Sequence, residues 1–361
     1  MTKAKFAFIV AAAVAASPAA VSATAAAQAG SPGNIEWSIS RDGSRADASK
    51  VQLTVESHWG AGSSSVWSND RPVSDLQGVS AAQIAGPRGP VRFALVRDAG
   101  RLDCSGTAGN LTGSGACSFT VDPRFDAYLR QQGIGSPTPH EAFTLTMSGV
   151  GRDLIESMQA IGYTRPTVEQ LTSTAVHGVS ADFIHGLARS GYRMGSADDL
   201  VAFKIHGVSL DYIREMAAIG PKLQHLPADD LVAMRIHGVE PAYVREIAAM
   251  GPQFANLSAD DLVAFRIHGA KPELVRAAAA FTGGALNADD VVAMAIHGVS
   301  ADYLQQLAAL GYRNLSADEI VSLRIHGVTP DYVRRLQQNG MAHLSADQLT
   351  RLRLAGFEPG H

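Results

Sequence analysis

The chain has 361 residues, a net charge of -4 and a hydrophobic content of 46%, so it is long enough for two domains with separate cores. This balance is typical of a globular protein and excludes a wholly disordered chain. It also disfavours a nucleic-acid partner, because nucleic-acid binders usually carry a strong basic excess.

Residues 1–29 have the pattern of a secretory signal peptide. A short basic start is followed by the apolar run 6–16 and then by a zone of small residues. Cleavage after Ala23 or after Ala27 fits this pattern equally well. The apolar run is shorter than the roughly 20 residues of a membrane-spanning helix. We therefore expect an exported protein with no stable membrane insertion after cleavage.

Residues 33–135 are predicted to form an antiparallel β domain, either sandwich-like or barrel-like. Its segments alternate apolar and polar residues, as strands with one buried face do, and turn residues separate them. The strand-like segments are 36–40, 51–57, 65–67, 91–96, 102–104 and 116–121. A short helix is expected at 125–132, after Asp122 and Pro123 close the last strand.

The two cysteines of the chain, Cys104 and Cys117, flank a glycine-rich segment between two predicted strands. In an oxidising compartment this arrangement favours a disulfide between neighbouring strands. Closing a loop of this size stabilises a fold by on the order of 3 kcal/mol. A redox-active or metal-binding pair is the alternative, but the short Cys-x-x-Cys spacing and a third ligand are both missing.

A His-Gly dipeptide recurs in a regular register through the second half of the chain. The six copies begin at His177, His206, His237, His268, His297 and His326. Successive glycines lie 29 or 31 residues apart, and self-similarity at such a period indicates a stack of repeats. We predict that residues 140–361 form an α-solenoid of short helix-turn-helix repeats, which makes the whole protein α+β.

Each repeat marks the ends of its first helix. Ser258 is a predicted N-cap, and Asp261 completes a pair that resembles a capping box. Leu257 and Leu262 flank this cap as a hydrophobic staple, and Gly269 is expected to end the helix in the left-handed conformation.

The second helix of each repeat is marked in the same way. Thr329 is a predicted cap, and Pro330 takes the first helical position. Each unit therefore has two helices of about ten residues, and helices this short are stable only when neighbours pack against them. The repeats must stack.

The repeats, of the form Leu-Ser-Ala-Asp-Asp-Leu-Val-Ala-x-Arg-Ile-His-Gly-Val, resemble a motif of exported bacterial proteins of unknown function. They also resemble repeats appended to some membrane metallopeptidases of the beta-lactam-sensing antirepressor type. The front domain is similar, through 73–83 and 93–100, to the domain that accompanies such repeats. The resemblance implies a periplasmic or extracellular location and brings no activity. The peptidase function is not implied, because no His-Glu-x-x-His motif is present.

The repeated histidines are the first candidate site. Each precedes the terminating glycine, where an imidazole can bond free carbonyls and suits the negative end of the helix dipole. As alternative metal ligands we considered His206, His237, His268, His297 and His326. Packed helices lie about 8–10 Å apart, whereas histidine–zinc bonds measure about 2.0–2.1 Å. We therefore expect no cofactor, and metal or pH sensing stays the alternative function.

Two basic rows are the second candidate site. One stands two residues before the histidine position, and the other recurs on the second helix. The candidate binding residues are Lys204, Arg235, Arg266, Arg324, Arg353, Arg214, Arg245, Arg276 and Arg334. These side chains either pair with a neighbouring repeat or form a stripe for an acidic protein or an anionic envelope polymer. The aromatic series that recurs at the start of the second helices is predicted to be packing.

Enzyme motifs are missing from the sequence. It has no Gly-x-Ser-x-Gly elbow, no phosphate-binding Gly-x-x-x-x-Gly-Lys and no paired Cys-x-x-Cys arrangement. We therefore expect no catalysis. The sequence predicts an exported interaction or scaffold protein that binds a partner in the cell envelope through its solenoid surface.

Overall fold

A computed structural model describes residues 32–41, 49–59, 63–283 and 286–359. These residues form two compact units. The first unit comprises the described residues up to Leu95 together with 102–119 and 138–140; the second comprises 96–101, 120–137 and the described residues from Glu141 onward. The predicted signal peptide at 1–29 lies outside the described residues.

The first unit is built on one curled antiparallel sheet of seven strands, a half-barrel. The strands are β1 (Pro32–Ser40), β2 (Lys50–Trp59), β3 (Ser63–Pro72), β4 (Leu76–Gln77), β5 (Gly89–Arg97), β6 (Gly100–Gly109) and β7 (Thr112–Val121). Their order across the sheet is β3-β2-β1-β7-β6-β5-β4. The predicted antiparallel β domain is confirmed, as a single curled sheet rather than two stacked sheets.

Three short elements of this unit were not predicted. They are a 3-10 turn (Val73–Asp75), which has 3 residues, β4, which has 2, and the helix α1 (Ala81–Ala85), which has 5. The cap of α1 is complete, because the Ser80 hydroxyl accepts a hydrogen bond from Gln83 N–H and the Gln83 side chain accepts one from Ser80 N–H. Elements this short do not display a hydrophobic period, so pattern analysis passes over them.

The glycine-rich segment makes room for a buried tryptophan. Trp37 is only 2% exposed, meets Phe93 edge-on with ring centroids 4.9 Å apart, and donates its indole N–H to Ser105 O at 3.1 Å. A Cβ atom on Gly115 would lie 2.0 Å from Ser105 O and 2.8 Å from the Trp37 nitrogen. A Cβ on Gly106 would come equally close to the indole, at 2.8 Å. Glycine is required here for close approach rather than for phosphate binding.

A two-residue turn joins β6 to β7. Its central residues, Asn110 and Leu111, have φ values of 54° and 65°, which is the left-handed pair of a type I′ hairpin. The predicted disulfide between Cys104 and Cys117 is confirmed, with the two Cα atoms 4.1 Å apart. It links these two adjacent strands of the sheet.

The second unit is helical. Its first helix, α2 (Pro123–Gln131), confirms the predicted short helix, and the Asp122 side chain caps it. The repeat helices follow in pairs: α3 (Pro139–Ser148), α4 (Arg152–Ile161), α5 (Val168–Val176), α6 (Ala181–Arg189), α7 (Ala197–Ile205), α8 (Leu210–Ala217), α9 (Ala228–Ile236), α10 (Pro241–Ala248), α11 (Ala259–Ile267), α12 (Pro272–Phe281), α13 (Ala288–Ile296), α14 (Ala301–Ala309), α15 (Ala317–Ile325), α16 (Pro330–Gln338) and α17 (Ala346–Leu354). From α3 onward, odd numbers are the first helices of the repeats and even numbers the second helices.

The predicted helix ends are confirmed. The Ser258 hydroxyl accepts a hydrogen bond from Asp261 N–H at 3.1 Å, and the Asp261 carboxylate accepts one from Ser258 N–H at 2.9 Å. Gly269 has a φ of 73° and ends α11. Ala270 N–H then donates to Phe265 O at 2.8 Å, which completes a Schellman motif.

The repeat helices form two layers around one core. From α5 onward each first helix packs on the next first helix, and from α4 onward each second helix packs on the next second helix. One continuous hydrophobic cluster runs through the whole unit, and Leu231 and Met234 of α9 are at most 1% exposed within it. Throughout the described part of the chain, every helix is too short or too polar to cross a membrane.

Candidate functional site

The basic row of the first helices contacts aromatic rings of the preceding repeat. Arg235, for example, lies 4.9 Å from the centroid of the Tyr212 ring, within cation–π range. The five pairs are Lys204 with Phe183, Arg235 with Tyr212, Arg266 with Tyr243, Arg324 with Tyr303, and Arg353 with Tyr332, at 4.2 to 5.3 Å. We call each such pair an inter-repeat clamp. The aromatic residues are buried at the start of the second helices, as predicted.

Hydrogen bonds hold both members of the clamp. Arg235 Nε donates to His206 O at 3.3 Å, so the guanidinium satisfies a carbonyl that the helix end leaves free. The Tyr212 hydroxyl donates to Val239 O at 2.8 Å, in the corresponding turn of the next repeat. The same hydroxyl contact recurs from Tyr243 to Ala270 O at 2.8 Å. Each clamp therefore joins one repeat to the next in both directions.

The sequence changes both members of the clamp together. Leu154 and Leu274 stand at the aromatic position of α4 and α12. The first helices that follow them have Ala175 and Ala295 at the cationic position. Wherever this series has an aromatic ring instead, the following first helix supplies a lysine or arginine. This pairing indicates that the role of the cation is to contact the aromatic ring of the preceding repeat in the same chain.

Burial changes the ionisation of the clamp residues. It raises the pKa of Tyr243 and of Tyr303 to about 12, although the positive charges of Arg266 and Arg324 lower it. Burial also lowers the pKa of Lys204, whose ammonium lies 4.2 Å from the Phe183 ring centroid. The aromatic rings of the clamps are therefore shielded from water, whereas the guanidinium groups of Arg266 and Arg324 lie at the surface.

The arginines of the second helices form ion pairs at the surface. Arg245 reaches Glu215 of the preceding repeat at 3.1 Å, and Arg276 reaches Glu246 at 3.0 Å. Arg214 pairs with Asp211 and Arg334 with Asp331, each within one helix. The first-helix row, Arg245 and Arg276 thus contact the preceding repeat, which is one of the two outcomes that the sequence left open, whereas Arg214 and Arg334 pair within their own helices. Their part in binding a ligand stays a prediction.

The repeated histidines lie at helix C-termini. His206, His237, His268, His297 and His326 are each the C-cap of a first helix. The His326 ring nitrogen Nδ1 lies 2.8 Å from Ser322 O, the contact expected for an imidazole at this position. The described residues contain no group of three or more His, Cys, Asp or Glu side chains that could hold a metal ion.

The largest unexpected feature is an exposed aliphatic residue directly before each histidine position. These residues, the aliphatic row, are Val176, Ile205, Ile236, Ile267, Ile296, Ile325 and Leu354. The five isoleucines are 54–56% exposed. The row was not predicted, because an isoleucine in a helix is normally assigned to the core. These helices carry apolar residues on more than one side, and that pattern indicates a second apolar surface besides the core.

The aliphatic row belongs to a wider surface. In α9, Asp229, Val232, Ala233 and Ile236 follow the spacing i, i+3, i+4, i+7 and lie on one side of the helix. Asp229 and Ile236 are exposed, and the two residues between them are half-buried. The core residues Leu231 and Met234 point the other way. The first-helix layer therefore presents aliphatic side chains to solvent, bordered by acidic residues at the helix N-termini.

The acidic border recurs in every repeat from α5 onward. Its members, the acidic edge, are Glu169, Asp198, Asp229, Asp260, Asp289, Asp318 and Asp347, and all are exposed. At the opposite end of the same helices lies the histidine edge: His177, His206, His237, His268, His297 and His326. We call the aliphatic row with its two edges the first-helix surface.

Comparison of this chain with known protein families finds no match. Curated proteins and solved structures likewise provide no match. The fold defines a class: a half-barrel sheet with an internal disulfide, together with an α-helical repeat unit. The surface of the repeat unit is therefore the feature that bears on function.

Proposed function

We propose that this is an exported interaction protein that binds a protein partner in the cell envelope through its first-helix surface. The observation that carries the proposal is the aliphatic row, in which five isoleucines are 54–56% exposed. Single exposed apolar residues are ordinary on protein surfaces, but an exposed aliphatic side chain at the same position of seven successive first helices forms a row of the kind that interaction sites present. We expect no catalytic activity.

The aliphatic row has no role in the folding of the repeat that would explain it. The inward side of α9 already supplies Leu231 and Met234 to the core. Fully burying an isoleucine contributes about 1.5–3 kcal/mol relative to leaving it exposed. Folding leaves these side chains partly exposed, so a partner that covers the row gains the free energy of burying the remainder. The proposal therefore assigns binding to the aliphatic row, and the basic rows support the stacking of the repeats.

Three features support export. The disulfide between Cys104 and Cys117 is of a kind that persists in oxidising compartments. The sequence of residues 1–29 has the pattern of a signal peptide. The resemblance of the repeats to those of exported bacterial proteins points the same way, to the periplasm or the extracellular space.

Crosslinking in the exporting cell tests the proposal. A photoreactive amino acid replaces Ile267 in the aliphatic row, and in a control chain it replaces Gln305, which is exposed on a second helix. We expect a protein adduct from position 267 and little from position 305. The proposal fails if position 267 gives no protein adduct, or only the products that position 305 also gives.

A further inference from the structure

The two edges of the first-helix surface carry different chemistry. In the first turn of α9 stands Asp229, and at the C-terminus of the helix stand the exposed Ile236 and His237. The pattern is the same in α11 and α13. The surface therefore runs from carboxylates, across aliphatic side chains, to imidazoles.

In α3 the equivalent side of the helix is covered. Its corresponding residues are His140, Phe143 and Met147; Phe143 is 0% exposed and Met147 is 1% exposed. The His140 ring lies 4.9 Å from the Trp59 ring, measured between centroids. The side of α3 that is buried corresponds to the side that the later first helices, from α5 to α17, expose to solvent.

Symmetry identifies the partner that matches this pattern. A two-fold axis parallel to the stacking direction of the repeats would bring two such surfaces face to face with their helices antiparallel. The acidic edge of each copy then lies opposite the histidine edge of the other. A two-fold axis along the helices would instead place carboxylates against carboxylates, which is repulsive.

We infer that the first-helix surface is covered by a second copy of this chain, with each acidic edge facing the partner's histidine edge. The inference rests on the proposed function, because it names the partner of the same surface. A second copy has the same spacing between its aliphatic residues, so each repeat meets its own equivalent. A carboxylate facing an imidazole accepts a hydrogen bond from it, and a charged imidazole strengthens the pair.

The surface is large enough for a dimer. Seven first helices packed about 8–10 Å apart span about 50–60 Å, and the eight-residue stretch from Asp229 to Ile236 is about 10 Å long at 1.5 Å per residue. The footprint is therefore about 500–600 Å² on each copy, or about 1,000–1,200 Å² in total, which meets the ~1,000 Å² that a specific interface needs.

Sedimentation of the mature full-length protein gives the first test. We expect the wild-type chain to form a dimer, and the variant Ile236→Ser/Ile267→Ser/Ile296→Ser to dissociate at least about 100-fold more readily. The matched control is Ala218→Ser/Ala249→Ser/Ala309→Ser, at exposed positions on the second-helix side; it should dimerise like the wild type. A monomeric wild-type protein, or equal effects of the two triple variants, would overturn the inference.

Charge reversal tests the pairing of the edges. It compares each variant alone with the mixture of the two, so recovery of dimerisation in the mixture shows that both variants are folded. The acidic-edge variant is Asp229→Lys/Asp260→Lys/Asp289→Lys, and the histidine-edge variant is His237→Glu/His268→Glu/His297→Glu. The histidine-edge variant should be monomeric alone, because its glutamates then face the partner's aspartates. The acidic-edge variant should dimerise less readily than the wild type, because its lysines face imidazoles that have lost their carboxylate partners. Mixed together they should form a heterodimer, since lysines face glutamates. If the mixture stays monomeric, or if both variants dimerise alone, the proposed pairing is wrong.

The mass of the crosslinked product separates this inference from the proposed function. An adduct of twice the chain mass from position 267 supports a second copy. An adduct with a different protein and none with the chain itself overturns the second copy but leaves the proposed function standing. If neither adduct forms, both fail.

Discussion

The sheet unit and the repeat unit are held together in different ways. In the sheet, β1 lies between β2 and β7, so its neighbours come from opposite ends of the unit. Its core depends on contacts that occur once, such as the indole of Trp37 against Gly106 and Gly115. In the repeat unit one contact, the inter-repeat clamp, occurs again and again between adjacent repeats. A single change should therefore damage the sheet far more than the repeats.

Replacing Trp37 with alanine should have the largest effect. We expect Trp37→Ala to cost about 3–5 kcal/mol, because it empties a site that is 2% exposed. Hydrogen exchange followed by mass spectrometry would localise the loss to the sheet unit. Trp67→Ala is the control, since Trp67 is half-buried; equal losses from the two substitutions would contradict the assignment of Trp37 to the core.

Removing the disulfide should have the next largest effect. The double variant Cys104→Ser/Cys117→Ser should lower the free energy of unfolding of the sheet unit by about 3 kcal/mol. Calorimetry should show the sheet transition moving to lower temperature, whereas the repeat transition stays in place. A chemical reductant should reproduce this shift in the wild-type protein and leave the variant unchanged. A shift of both transitions would contradict the separation of the two units.

Breaking one clamp should cost less. Tyr243→Phe removes the hydrogen bond to Ala270 O, and the loss of a buried partner costs about 1–3 kcal/mol. Arg266→Ala removes the cation over the same ring, worth about 0.5–2 kcal/mol. Denaturant unfolding of Tyr243→Ala, Arg266→Ala and the double variant should give a coupling energy of about 0.5–1 kcal/mol. Strictly additive effects would show that the contact contributes nothing.

Adding a clamp provides the converse test. The pair Leu274→Tyr/Ala295→Arg installs the missing contact between α12 and α13, and should stabilise the repeat unit by about 0.5–1 kcal/mol. Either substitution alone should gain less than the pair, because a ring without its cation, or an arginine without its ring, lacks the cation–π contact. The same denaturant titration measures all three. A gain from either single variant that equals the gain from the pair would refute the coupling.

High pH should also distinguish the two units. Burial raises the pKa of Tyr243 and Tyr303 to about 12, above the value of about 10 in an unfolded chain. The stability that depends on the neutral phenols is therefore complete below pH 10 and declines as the pH rises from about 10 to 12. All 8 tyrosines lie at position 128 or beyond, so the decline should be confined to the repeat unit. Thermal unfolding at pH 9 and pH 11 would measure it.

Local signals made the helices of this protein predictable. Ser258 with Asp261 begins α11 and Gly269 ends it, and both ends depend on residues within a turn of each other. The alternation in β2 and the pairing of Cys104 with Cys117 were predictable for the same reason: both depend on residues that are near each other in the sequence. The strand order was not predictable, since β1 and β7 meet only through the fold.

The candidate site was less predictable than the fold. The sequence located the basic rows but left their partners open. The first helices have apolar residues on several sides, so Leu231 and Ile236 look equivalent in the sequence of α9.

The sequence by itself determined where the repeat helices begin and end, the period of the repeats and the cysteine pair, because caps, turns and alternation act between near neighbours. Only the tertiary structure decided that Arg235 folds over Tyr212 and that Ile236 remains outside. Both outcomes depend on which side of a helix the next repeat covers. That choice is made by packing between residues about 30 positions apart, where a single chain carries no local signal.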